Sequence, residues 1–270
     1  MGVRVWCFAH AGAGVSAFHL WPKLIGPGVE PDAWLLPGRD ARRGEARVTD
    51  PAALLEDLAP LVESLARAQE PSLPSEPYVL YGHSLGGMVA HALTRHLHER
   101  GLPLPALLAI GAAPPPDGPA ALAASADLPD TALLRLLDTF DAVPAGTEPG
   151  DVWHRMVFPV LRDDLRLAGA LRTAAAGRTA APRPLPVPIL AVAGREDPLV
   201  TPEVVAGWAR WTTGPFAHRT LPGGHFFVRD RALPRLIGRA ARVVERLAAT
   251  GPAGAVPAAA GPAGAGVRRR

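Results

Sequence analysis

A chain of 270 residues, 48% of them hydrophobic, is long enough to bury a sizeable core as one large domain or two small ones. Mean hydropathy is only +0.13, and no apolar run approaches the roughly 20 residues that span a bilayer, so a helical membrane protein is excluded. The sequence pI of 9.7 overstates the basic character: the formal net charge is +3, Arg268, Arg269 and Arg270 account for it, and a neutral body with a basic tip does not read as a nucleic-acid binder.

The first predicted element is the strand Val3–Phe8. It holds Cys7, the single cysteine, which cannot form an internal disulfide and fits a reducing cytoplasm. The opening stretch lacks the long apolar segment and small-residue cleavage site of a secretory signal. The Gly-rich turn His10-Ala11-Gly12-Ala13-Gly14 follows, without the lysine of a phosphate-binding Walker loop. A strand at Ala33–Leu36 precedes a helix over Ala52–Gln69, where Leu54, Leu55, Leu58, Leu61, Val62 and Leu65 keep to one side. Next come a strand at Tyr78–Tyr81, a helix at Leu85–His98 and a strand at Ala106–Gly111.

From about Pro119 to Ala176 only helical patterns occur. Leu133, Leu134, Leu137 and Phe140 form one stripe; Trp153, Met156, Val157, Val160 and Leu161 form another. This insertion, counted between a fifth and a sixth strand, is where a lid over an active site would sit, although such stripes also suit packing on the main core. The strand Val187–Ala193, the helix Pro202–Trp211, the strand Phe216–Leu221 and the helix Asp230–Ala248 complete the alternation. The pattern predicts a mostly parallel α/β sheet with helices on both faces. Residues 250–270 open with a low-complexity Ala, Gly and Pro run, too poor in apolar bulk to offset ordering entropy. They are expected to form a disordered tail behind one domain over residues 1–249.

The strongest motif is Gly82-His83-Ser84-Leu85-Gly86, directly after one predicted strand and before a helix. Such a turn strains the nucleophile's backbone and exposes its Oγ above the sheet, and it needs glycine where a Cβ would clash. The helix that follows aims its N-terminal N–H groups at the reacting oxygen. A serine needs a base, and the base an orienting acid, in the chain order Ser, Asp or Glu, then His. Asp197 follows the strand Val187–Ala193, and His225 lies in a glycine-flanked loop after Phe216–Leu221, both on the carboxyl edge of the sheet. Glu196 is the rival acid; Asp197 is preferred because Pro198 favours an extended turn along the strand. The oxyanion donors are assigned to the N–H groups of Leu85 and Ala11. Of the other histidines, His83 supports the turn, His91, His96 and His98 are surface or packing residues, and His19, His154 and His218 have no motif around them. No spacing resembles a metal site.

With these pieces placed, the chain resembles the stand-alone type II thioesterases of polyketide and nonribosomal peptide synthases, within the α/β-hydrolase fold. The resemblance rests on Phe8-Ala9-His10-Ala11-Gly12, Leu36-Pro37-Gly38-Arg39-Asp40, Tyr81 to Gly87, Pro159 to Asp164, Asp197 to Val200 and Leu221 to Phe227. It runs from residue 3 to about 247. Departures are mild: Ala9 stands where the family usually has Pro, Ala13 for Gly, Leu85 often for Met, Asp40 often for Glu. The resemblance implies hydrolysis of acyl groups from the phosphopantetheine arm of an acyl or peptidyl carrier protein. No cofactor is then expected on this chain, because the arm belongs to the partner. Leu137, Phe140, Met156 and Leu161 would line the acyl chamber, and Arg39, Arg42 and Arg43 would face an acidic carrier protein. An oxygen-ester hydrolase of carboxylesterase or lipase type, or an acyltransferase of the same fold, is the alternative.

Overall fold

Strands and helices alternate along the chain as β1 (Val3–Phe8), α1 (Trp21–Leu24), β2 (Val29–Ala33), α2 (Pro51–Asp57), α3 (Ala59–Arg67), β3 (Tyr78–His83), α4 (Leu85–Glu99), β4 (Leu107–Gly111), α5 (Asp130–Asp138), α6 (Val152–Ala176), β5 (Ile189–Gly194), α7 (Pro202–Ala206), β6 (Phe216–Leu221) and α8 (Ala232–Thr250). This is a computed structural model, and it describes residues 2–68, 76–119, 121–140, 142–143, 146–148, 150–177 and 182–250. The strands pair in parallel in the order β2-β1-β3-β4-β5-β6.

Alternation along each strand explains the layers. Leu80 of β3, Leu108 and Ile110 of β4 and Ile189 and Ala191 of β5 point to one face, where α2, α3, α4 and α7 supply apolar partners. Val5 and Cys7 of β1, Val79 and Tyr81 of β3 and Val192 of β5 point to the other, against Trp21 of α1 and Leu233 and Ile237 of α8. With both faces covered, the central strands are buried end to end, and they read as continuous apolar runs. The strand order reverses between β1 and β3, so the loops leaving these two strands flank the crevice where α/β proteins build their sites.

Several expectations move. The second strand is Val29–Ala33, not Ala33–Leu36. It is an edge strand, which tolerates Pro31 and an exposed Glu30 and therefore lacks an apolar signature. The helix expected over Ala52–Gln69 is two helices, because Pro60 enters at the first turn of α3 and has no N–H to continue α2. Gln69 lies outside the described residues. The helix expected to Trp211 tightens after Ala206 into a 3₁₀ turn, Gly207–Trp211, that buries Trp208 and Trp211. The helical insertion lies between β4 and β5, one strand earlier than counted from sequence. Its apolar residues divide. Leu133, Leu137, Phe140, Phe158, Leu161 and Leu165 form a separate cluster, while Leu167, Leu171 and Ala175 of α6 join the main core. Thr250, placed in the tail from sequence, closes α8; residues 251–270 lie outside the described residues. Among the described residues no helix is long and apolar enough to cross a membrane.

Candidate active site

Ser84 sits between β3 and α4 with φ 55° and ψ −116°, a conformation that L side chains rarely adopt. The strain is held from both sides. Ser84 N–H donates to the carbonyl of Gly111 at 2.8 Å, and Gly87 N–H donates to the Ser84 carbonyl at 2.9 Å. A Cβ on Gly82 would stand 1.9 Å from the Gly86 carbonyl oxygen, and one on Gly86 would stand 2.0 Å from that of Phe8. The turn therefore closes only with glycine at both places.

His225 and Asp197 arrive from the loops after β6 and β5. His225 Nε2 lies 3.1 Å from Ser84 Oγ, and its Nδ1 lies 2.8 Å from Asp197 Oδ2. Asp197 Oδ1 accepts from the N–H groups of Leu199 and Val200 at 2.9 and 3.1 Å, which fixes the carboxylate plane. Both residues are buried. The rival Glu196 is turned away and accepts from Gly223 N–H at 2.5 Å. With Nδ1–H donated to Asp197, Nε2 is left with its lone pair toward the serine hydroxyl.

The turn after β1 lies beside Ser84. Gly12, at φ 78°, donates its N–H to Asp164 Oδ2 at 2.7 Å, and Ala13 N–H donates to the His10 carbonyl at 3.1 Å. Among the described residues the N–H of Ala11 has no such partner. Asp164 was visible only as part of a motif; its reach to this turn, 152 residues away, has no local sequence signal.

Two further histidines surround the site. His83 Nε2 lies 2.7 Å from the His225 carbonyl and its Nδ1 lies 2.8 Å from Tyr81 Oη. A carbonyl only accepts, so the proton is on Nε2 and the tyrosine hydroxyl donates to Nδ1. Burial pushes the His83 pKa well below the usual imidazole range, reinforced by the nearby His225 and His10. His10 packs 5.0 Å from the Phe226 ring and 5.9 Å from His83, and burial followed by Arg229 lowers its pKa to about 3. Both are held neutral near pH 7. Beyond the turn itself, His83 thus also contacts the backbone of His225.

A cavity of about 560 Å³ opens onto Ser84 and His225. Leu137, Phe140 and Leu161 line it, together with Leu122, Trp153 and Val157. Met156 does not: its side chain is 67% exposed. Each helical residue turns by about 100°, so Trp153, Val157 and Leu161, four apart, share the inner face and Met156 faces out. A smaller recess of about 60 Å³ also reaches Ser84 and is lined by Leu85, Met88, Leu165 and Leu199.

The arginines expected to face a partner behave differently. Arg39 is buried and holds Asp164 through both guanidinium nitrogens, at 2.7 and 2.6 Å. Arg42 pairs with Glu45 and Asp57 and donates to the Leu35 carbonyl, so of these three arginines Arg43 alone is exposed without an ion pair to a described residue. The chain folds its Pro37–Arg47 loop inward because a buried carboxylate on α6 demands a bidentate partner. Among the described residues no group of histidine, cysteine and carboxylate side chains is arranged to hold a metal.

The family model of the thioesterase domain matches residues 3–242. The chain is 33% identical to thioesterase PikA5 of Streptomyces venezuelae over 230 residues, 85% of this chain and 76% of that protein. Among solved structures it resembles the RedJ thioesterase of the prodiginine pathway in Streptomyces coelicolor, with a TM-score of 0.74, 32% identity, and coverage of 88% of this chain and 85% of that one. The type II thioesterase BorB of the borrelidin biosynthetic cluster gives a TM-score of 0.69 at 29% identity, covering 90% and 94%. The expected α/β-hydrolase architecture is the fold shared with these neighbours.

Proposed function

The chain belongs to the thioesterase family and is a thioester hydrolase, and from that premise we propose that Ser84 cleaves acyl groups from the phosphopantetheine arm of an acyl or peptidyl carrier protein in polyketide or nonribosomal peptide biosynthesis. The observation that carries the reading is the hydrogen-bonded series Asp197–His225–Ser84 opening into a roofed cavity of about 560 Å³. Similarity to PikA5, RedJ and BorB supports the biosynthetic setting.

The steps follow from the atoms in place. Ser84 Oγ attacks the thioester carbonyl carbon while His225 Nε2 takes the hydroxyl proton, and Asp197 stabilises the imidazolium that forms. The N–H groups of Ala11 and Leu85 stabilise the charge that develops on the carbonyl oxygen. The C–S bond breaks, His225 returns the proton to the departing sulfur, and an acyl ester remains on Ser84. Water then attacks that ester with His225 again as base, which releases the acid and restores the serine. The arm comes from the partner, so the chemistry asks for no cofactor on this chain, and a cytoplasmic carrier protein is the natural donor.

The test is hydrolysis of an acyl-loaded carrier protein by the wild type and Ser84→Ala, with mass spectrometry of the trapped acyl-enzyme. Loss of turnover in the variant, and an adduct on the peptide holding Ser84, are expected. Full turnover by Ser84→Ala, or faster cleavage of matched oxygen esters than of thioesters, refutes the reading.

A further inference from the structure

The proposed oxyanion donor Ala11 sits in a turn whose one internal main-chain bond runs from Ala13 N–H to the His10 carbonyl, with Gly12 at a positive φ. The remaining restraints come from outside the turn. Asp164 Oδ2 accepts Gly12 N–H at 2.7 Å, on one side of the Ala11 peptide group. The same oxygen and its twin hold Arg39, whose Nη1 also donates to the Ala13 carbonyl at 3.0 Å. The acid and the arginine are 1% and 8% exposed, so neither is free to exchange its partner for water. A second ion pair, Arg47 Nε to Asp163 Oδ2 at 2.6 Å, ties the far end of the arginine's loop to the same helix.

The arrangement also distributes donors. Of the three amides at Ala11, Gly12 and Ala13, Asp164 takes the second and the His10 carbonyl takes the third. Asp164 stands where α6 passes from the cluster over the site, which includes Leu161 and Leu165, into the main core at Leu167. It is a fixed post rather than part of a mobile cover.

We propose that Asp164 and Arg39 are positioning residues, a buried clamp that holds the Ala11 N–H aimed at the carbonyl oxygen reacting on Ser84. The proposal rests on the serine reading above. It assigns no contact with substrate to either residue; they act through the turn. Preorganised donors matter because they cost no reorganisation when charge develops, and a misplacement of about 1 Å costs on the order of 100-fold in rate.

The experiment uses Asp164→Asn, which keeps an oxygen for Gly12 N–H but drops the charge facing Arg39; Asp164→Ala, which removes both; and Arg39→Lys, which keeps charge but loses the fork. Active sites are counted by fluorophosphonate labelling carried to completion, so misfolded molecules do not enter the rate. The expected result is a fall in kcat per labelled site of about 10-fold for Asp164→Asn and Arg39→Lys and about 100-fold for Asp164→Ala, with KM within about 3-fold of wild type. Affinity for an acyl trifluoromethyl ketone, which forms a tetrahedral adduct on serine, should fall by the same factors as kcat/KM. If Asp164→Ala does not fold, the two milder variants carry the comparison. Unchanged kcat per labelled site with a lowered Tm, or a change in KM alone, overturns the clamp and leaves the serine reading intact. A wild type that takes no label overturns both.

Discussion

His91 of α4 offers a sharp test of the energetics of this core. It is fully buried, with neither ring nitrogen hydrogen-bonded, and it packs 5.3 Å from the Trp208 ring and 5.6 Å, at 85°, from that of Trp211. A buried polar group without a partner costs about 1–3 kcal/mol, of which an N–H directed at an indole face recovers a fraction. Replacing His91 with Leu, an apolar side chain of similar bulk, should therefore stabilise the fold by about 1–2 kcal/mol at pH 7. The gain should grow on acidification. Burial, followed by Arg95 and Arg183, lowers the His91 pKa from 6.5 to about 3. The unfolded chain thus binds a proton below pH 6.5 that the native chain refuses until about pH 3. Stability contributed by the neutral ring is complete above pH 6.5 and is lost as pH falls toward 3, at about 1.4 kcal/mol per pH unit. Between pH 7 and pH 5 the advantage of His91→Leu should widen by about 2 kcal/mol. Urea unfolding followed by far-ultraviolet circular dichroism at both pH values measures it, free of the change in tryptophan surroundings. A variant less stable than wild type at pH 7, or a gap that stays constant with pH, would refute the reasoning.

Tyr81→Phe removes the hydroxyl that donates to His83 Nδ1 and leaves a buried acceptor without a partner. It should cost about 1–3 kcal/mol in thermal unfolding and lower kcat, because His83 braces the carbonyl of His225; unchanged values for both would show the brace to be idle. Val157→Trp fills the cavity from α6 opposite Gly12. It should cut turnover of long acyl thioesters at least about 10-fold relative to short ones, and equal losses for both would place the acyl chain elsewhere.

What could be read in the sequence was what is encoded locally. The elbow at Ser84, the loops carrying Asp197 and His225 and the buried strands all announce themselves within a few residues, and the chain order of the three polar side chains constrains their meeting. Errors arose where the partner is remote or absent. Arg39 looked like a free loop arginine because Asp164 lies 125 residues away. The edge strand at Val29–Ala33 was missed because a strand bonded on one side need not be apolar. Met156 was assigned inward because a stripe of apolar residues on a helix gives its width but not which edge of the stripe meets the cavity.

Helix α6 runs for 25 residues, about 37 Å, with Pro159 as its eighth residue. The proline ring leaves the Arg155 carbonyl without its helical donor, so the ladder already has a missing rung there. Mechanically the helix is a beam seated in the main core at one end and, past the notch, in the smaller cluster with Leu133, Leu137 and Phe140 at the other. Trp153 and Val157 lie on the N-terminal side of the missing rung, and Leu161 and Asp164 lie beyond it, toward the part of the helix that joins the main core. The wall that α6 gives to the cavity is therefore built from both sides of a single interruption in the ladder, with Trp153 and Val157 before it and Leu161 after it.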